Sequence, residues 1–137
     1  RTIIQRNKES PLSAVIILAG TNDLGFQRPV QDIVDSIVAL HRLCHDENVE
    51  HTVAIGVPSS AYQSSNKEAA QRAQEVNSGI EKFCDTESRA TFVPFPFGWA
   101  KDDVRWASDG LHFSAVGYKE LGESLAPLVS RVLSEEQ

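Results

Sequence analysis

The chain has no methionine, only two cysteines and few aromatic residues: six Phe, two Trp and two Tyr, 7 % in all. Two cysteines are too few for a disulfide framework. Cys44 and Cys84 fall on predicted helices, where free thiols are the simpler reading and a single bridge the other. No Cys/His spacing of the zinc-binding kind occurs. No run of about 18 apolar residues is present, so no segment is long enough to cross a bilayer as a helix. Basic charge is scarce, with 13 Lys and Arg against 19 Asp and Glu, a net charge of −6 and a pI near 5.1. That balance argues against a nucleic-acid surface, which wants a basic patch. There is no block of like charge, no internal repeat and no low-complexity stretch. What remains is 137 residues, 41 % of them hydrophobic. That is one domain with a modest core.

The chain is organised around Val15–Ala19, a short uninterrupted apolar run. Its length and β-branched content predict a strand buried on both faces, as in a parallel sheet. The polar cluster Gly20-Thr21-Asn22-Asp23 ends it as a turn. Ligands of open α/β sheets sit just beyond the carboxyl ends of the strands, so Asn22 and Asp23 stand where chemistry is expected. Pro29 opens a helix whose apolar stripe runs Val30, Ile33, Val34, Ile37 and Val38, continued by Leu40, Leu43 and Cys44. His41 and His45 lie four apart on it. With no third ligand and no Glu in the HExxH pattern, surface polarity is the better reading than metal binding.

His51–Val57 is the second strand, closed by Pro58-Ser59-Ser60 at the same end of the sheet as Asn22. Asn66–Cys84 is a helix, with Ala69, Ala73, Val76, Ile80 and Phe83 on its apolar face. Thr91–Val93 is a third strand, and Pro94 and Pro96, which cannot donate to a ladder, stop it or place it at an edge. Phe95, Phe97 and Trp99 read as packing before they read as pocket walls. Lys101–Ala107 connects to a last helix capped by Ser114, with Leu121, Leu125, Leu128, Val129, Val132 and Leu133 inward. Strand and helix alternating at this spacing predict βαβ units and a parallel sheet.

Asp109 and His112, just before that last helix, put a carboxylate and an imidazole three residues apart. Such an acid can turn back to a ring nitrogen, fix the tautomer and stabilise the imidazolium during proton transfer. With Gly20-Thr21-Asn22-Asp23 upstream and Asp109-Gly110-Leu111-His112 followed by Gly117-Tyr118, the sequence resembles the SGNH hydrolases, the GDSL-type lipases and esterases. The two stretches match that family's third and fifth blocks, and the resemblance runs through essentially the whole chain.

The resemblance implies an α/β fold, a flavodoxin-like three-layer αβα sandwich of about five parallel strands of which this chain supplies the last three. It implies Asn22 as an oxyanion-hole donor, Asp109 as the triad acid and His112 as the base, with Gly20 and Asp23 beside the substrate. It implies a small ester as substrate, and no metal or cofactor. The family's first block, Gly-Asp-Ser with the nucleophilic serine, has no counterpart here, and neither does its second. Arg1–Glu9 reads as the tail of an amphipathic helix, an unusual way to enter a buried strand. Residues 1–137 are therefore expected to be a single domain missing its first two βα units, on the order of sixty residues. The expected activity is ester hydrolysis through an acyl-serine whose serine lies on another segment. The alternative is an inactive shortened paralogue acting as a binding or assembly module. An edge left bare by missing strands is expected to pair with a second copy or with an N-terminal segment.

Overall fold

The computed structural model describes residues 12–135. The expected helix tail at Arg1–Glu9 lies outside the described residues. Three strands, β1 (Ala14–Leu18), β2 (His51–Ile55) and β3 (Ala90–Val93), form a parallel sheet in the order β1-β2-β3. The register pairs Ile16 with Val53 and Leu18 with Ile55, then Val53 with Thr91 and Ile55 with Val93. The helices are α1 (Thr21–Gly25), α2 (Val30–Asp46), α3 (Ala61–Ser65), α4 (Lys67–Thr86) and α5 (Ala115–Glu135).

The β2 run HTVAI is buried at every position, because it is the middle strand and helices cover both faces. On one face α2 and α4 pack Ile33, Val34, Ile37, Val76 and Ile80 around Ala54. On the other, Leu125 and Leu128 of α5 cover Val53, Ile55 and Val93. This is the helix–sheet–helix sandwich that the family resemblance implies, built on the parallel sheet that the alternating pattern predicts. Asn66 caps α4, its side-chain oxygen accepting from the Ala69 N–H at 3.0 Å, and Pro29 precedes the first turn of α2.

Four expectations need correction. The first strand is not buried on both faces: Ile16 and Leu18 are 46 % and 40 % exposed. They share their face with Val53 and Ile55, but Leu125 and Leu128 of α5 pack on Val53, Ile55 and Val93, and among the described residues no strand flanks β1 on its outer side. An apolar groove of about 420 Å³ runs along this edge between Val15–Ala19 and Leu40, Leu43 and Val49. Secondly, the stripe of α2 does not run through Leu40 and Leu43, which are exposed; it continues from Ile37 to His41 and His45. Those two rings are therefore buried, not surface polarity. The helical step of four carries them onto β2, where Thr52 supplies a hydroxyl to both. Thirdly, the Gly20–Asp23 turn is the start of a short helix, α1. Lastly, α3 has no counterpart in the sequence reading, because AYQSS is too short to show an apolar period.

Phe95, Phe97, Trp106 and Phe113 pack ring against ring, with Phe95 stacked on Phe113 at 5.2 Å, so Phe95 and Phe97 are packing, as read, whereas Trp99 makes no ring contact among the described residues and lines a cavity with Ser59 and Asn77. Cys44 is half-buried and Cys84 buried, both as free thiols.

Candidate active site

Both motifs follow strands and meet near the same end of the sheet. Gly20 leaves β1 at φ 110°, a left-handed conformation that a side chain would strain. A Cβ there would also press on Val57 and Ile37 at 3.1 and 3.3 Å. The reversal starts α1 and places Asn22 on its first turn, exposed, with its side-chain amide unbonded among the described residues. The Asp23 carboxylate accepts from Arg28 Nη1 at 2.7 Å, an ion pair that closes the loop behind α1.

The second motif is a self-bonded loop. Asp109 Oδ1 accepts the backbone N–H groups of Leu111 and His112, both at 2.9 Å. Its Oδ2 accepts from His112 Nδ1–H at 2.6 Å. Hydrogen bonds from the His112 ring, then from the His112 and Leu111 amides, hold the Asp109 carboxyl well below the usual carboxylate range. The acid therefore stays ionised, and the hydrogen bond puts the ring proton on Nδ1. The other nitrogen, Nε2, is left as the basic one. Both side chains are largely exposed, at 50 % and 69 %.

Gly110 docks this loop. Its φ is 65°, and a Cβ would come within 2.4 Å of the Ala61 methyl. Its carbonyl accepts from Ala61 N–H at 3.0 Å, tying the loop to the start of α3. Ala107 N–H donates to the His112 carbonyl at 2.8 Å, and Trp106 pairs with Phe113 across the loop's neck. Below the neck, Arg105 grips Asp103 with a contact of 2.6 Å, reaches Glu120 of α5 at 3.6 Å and lies 4.6 Å over Phe97. Sequence reasoning missed Arg105 and Gly110. Nothing in one dimension marks a guanidinium that bridges loop, ring and helix, although a Gly between an acid and a His is a weak signal of a tight turn.

The two motifs share a cavity of about 250 Å³, bordered by Thr21, Asn22 and Phe26 on one side and by Tyr62 and Leu111, the neighbour of His112, on the other. Ser60 also lines this cavity, and the hydroxyls of Ser59 and Ser60 each accept a backbone N–H. The Ser59 hydroxyl accepts from Trp99 N–H at 2.7 Å, and Ser60 is the buried cap of α3. Among the described residues, no serine hydroxyl bonds to His112, and no cluster of side chains could hold a metal ion.

A family model described as the GDSL-like lipase/acylhydrolase family matches residues 3–120. No curated protein matches the chain. Solved structures do. A Streptococcus pneumonia chain assigned as a platelet activating factor matches at TM-score 0.71 and 20 % identity, over 87 % of this chain and 60 % of that one. An acylhydrolase assignment from Bacteroides fragilis matches at TM-score 0.71 and 18 % identity, over 95 % and 69 %. A GDSL-like lipase from Bacteroides thetaiotaomicron matches at TM-score 0.68 and 21 % identity, over 98 % and 70 %. These likenesses are in fold, and this chain spans 60 % of the length of the first of those structures.

Proposed function

The chain belongs to the GDSL-like lipase/acylhydrolase family, and on that premise we propose that it carries the acid, the base and one oxyanion donor of a carboxylic ester hydrolase acting through an acyl-serine. The observation that carries the reading is the 2.6 Å bond from His112 Nδ1–H to Asp109, which leaves Nε2 as the base, with the adjacent residue Leu111 lining the cavity that Asn22 also lines. In the proposed reaction His112 Nε2 takes the serine proton as the hydroxyl attacks the ester carbonyl, then passes it to the leaving alcohol. Asp109 stabilises the imidazolium formed in between. The Asn22 amide donates to the oxyanion. Gly20 shapes the turn beside the substrate, and Asp23 stands at its edge. Water then attacks the acyl-serine with His112 as base, releasing the acid.

The nucleophile and the backbone donors are proposed to come from a segment not contained in these 137 residues. The single-domain boundary at 1–137, with two βα units missing, belongs to the same proposal. The Ala14–Leu18 edge is where that segment, or a second copy of the chain, would pair. The substrate class is a small ester, with no cofactor. A second reading, an inactive assembly module, is favoured by the absence of any described serine bonded to His112.

The test is hydrolysis of short-chain nitrophenyl esters. This chain alone should give no rate above His112→Ala, since losing a triad serine costs about six orders of magnitude in turnover. Joined to a strand and turn carrying Gly-Asp-Ser, it should gain activity that His112→Ala abolishes. A robust His112-dependent rate from the chain alone would place the nucleophile within it and overturn the split. No gain on joining would favour the assembly reading.

A further inference from the structure

The far corner of the sheet holds two imidazoles that the proposed chemistry does not use. His41 and His45 of α2 are 0 % and 4 % exposed and converge on one hydroxyl, Thr52 Oγ1 of β2, at 2.7 Å from His41 Nδ1 and 3.0 Å from His45 Nε2. His45 Nε2 is also 3.2 Å from the Arg89 carbonyl at the entry to β3. A carbonyl only accepts, so His45 carries its proton on Nε2 and donates to Arg89 and Thr52. The Thr52 hydroxyl then either donates to His41 Nδ1 or turns to the Arg89 carbonyl, 3.4 Å away, and accepts from both rings. The remaining ring atoms, His41 Nε2 and His45 Nδ1, are buried without partners.

A second proton on either ring lacks an acceptor. On His45 it sits at Nδ1, a charged N–H with no partner. A doubly protonated His41 has the same defect at Nε2, whichever way the Thr52 hydroxyl turns. The neighbours do not compensate. His41 faces His45 and the Phe83 ring of α4, 5.7 Å away, with Arg42 over the same ring. His45 faces Arg89 and His51, which oppose its charging, and Glu87, which favours it.

We propose that the His41–Thr52–His45 bridge is an acid-sensitive latch: with both rings neutral it holds the carboxyl half of α2 on the amino ends of β2 and β3, and protonation in mild acid releases that corner. Burial first, then the neighbouring His45, brings His41 from 6.5 down to about 4, and burial lowers His45 too. A folded pKa below the unfolded one means that the native state binds fewer protons. The latch's stability is therefore complete above pH 6.5 and lost as the pH falls from there towards about 4. At pH 5, His41 alone raises the unfolding constant about thirtyfold over its value at pH 8.

The experiment uses the chain as it stands. Histidine titration by NMR should find His41 neutral in the folded protein well below pH 6 and His45 titrating below its ordinary value. Amide exchange should rise at pH 5 across Leu40–Asp46 and Thr52 while Val76–Ile80 of α4 stays protected. His41→Leu should remove about thirtyfold of the pH dependence of urea unfolding. Rings that titrate at the ordinary value, exchange that rises uniformly, or a pH dependence unchanged in His41→Leu would each overturn the latch. Should His41→Leu not fold, the native titration and exchange decide.

Discussion

Gly110 docks the loop that carries Asp109 and His112 onto α3. Its left-handed backbone and the Ala61 methyl both exclude a side chain. Gly110→Ala is expected to cost about 1–3 kcal/mol in urea unfolding. It should also displace His112, seen as a changed Nδ1–H resonance, because the loop would have to lift from α3. Asp109 and His112 were legible in the sequence because both partners lie within one turn of chain. The histidines of α2 were misread for the opposite reason. Their partner Thr52 is on another element, and a stripe traced through Leu40 and Leu43 looks as apolar as the true one. Hydrogen bonds between elements leave no periodic trace.

Among the elements, α2 and α4 were legible from apolar spacing and α3 was not. The three strands were found to within two residues, since short apolar runs ended by Gly or Pro leave little freedom. The last helix carries a feature the spacing did not reveal. Pro127 sits inside α5, where it cannot donate to the Glu123 carbonyl and its ring crowds it. Pro127→Ala is expected to stabilise the chain by about 1–3 kcal/mol, read as a higher urea midpoint. A lower midpoint would mean that the proline helps to seat Leu125 and Leu128 on the sheet. At the other end of β2, Asn77 of α4 clamps Val57, accepting its N–H at 2.7 Å and donating to its carbonyl at 3.1 Å. Asn77→Ala should cost about 2–4 kcal/mol by leaving two backbone groups unpaired.

At the scale of the whole molecule, the open flank of β1 governs behaviour. Ile16, Leu18, Leu40 and Leu43 are exposed beside a strand edge, a combination that invites pairing with another chain. Light scattering at micromolar concentration is expected to show association, and Ile16→Lys should shift it towards the monomer. A monodisperse parent chain would contradict this. The parallel sheet was legible because alternating strands and helices admit few arrangements, and the three layers followed from the family resemblance. Which face of β1 is exposed was not legible, since that depends on which strands the α5 leucines pack on. The loop that closes on Asp109 has a further consequence for assembly. A carboxylate tethered three residues from its imidazole is held at a local concentration of roughly millimolar or more, whatever the rest of the chain does. If the serine arrives on another segment, acid and base need not search for each other. Reconstitution would then be a single bimolecular encounter, its rate first order in the incoming segment, with proton transfer ready as soon as the serine docks.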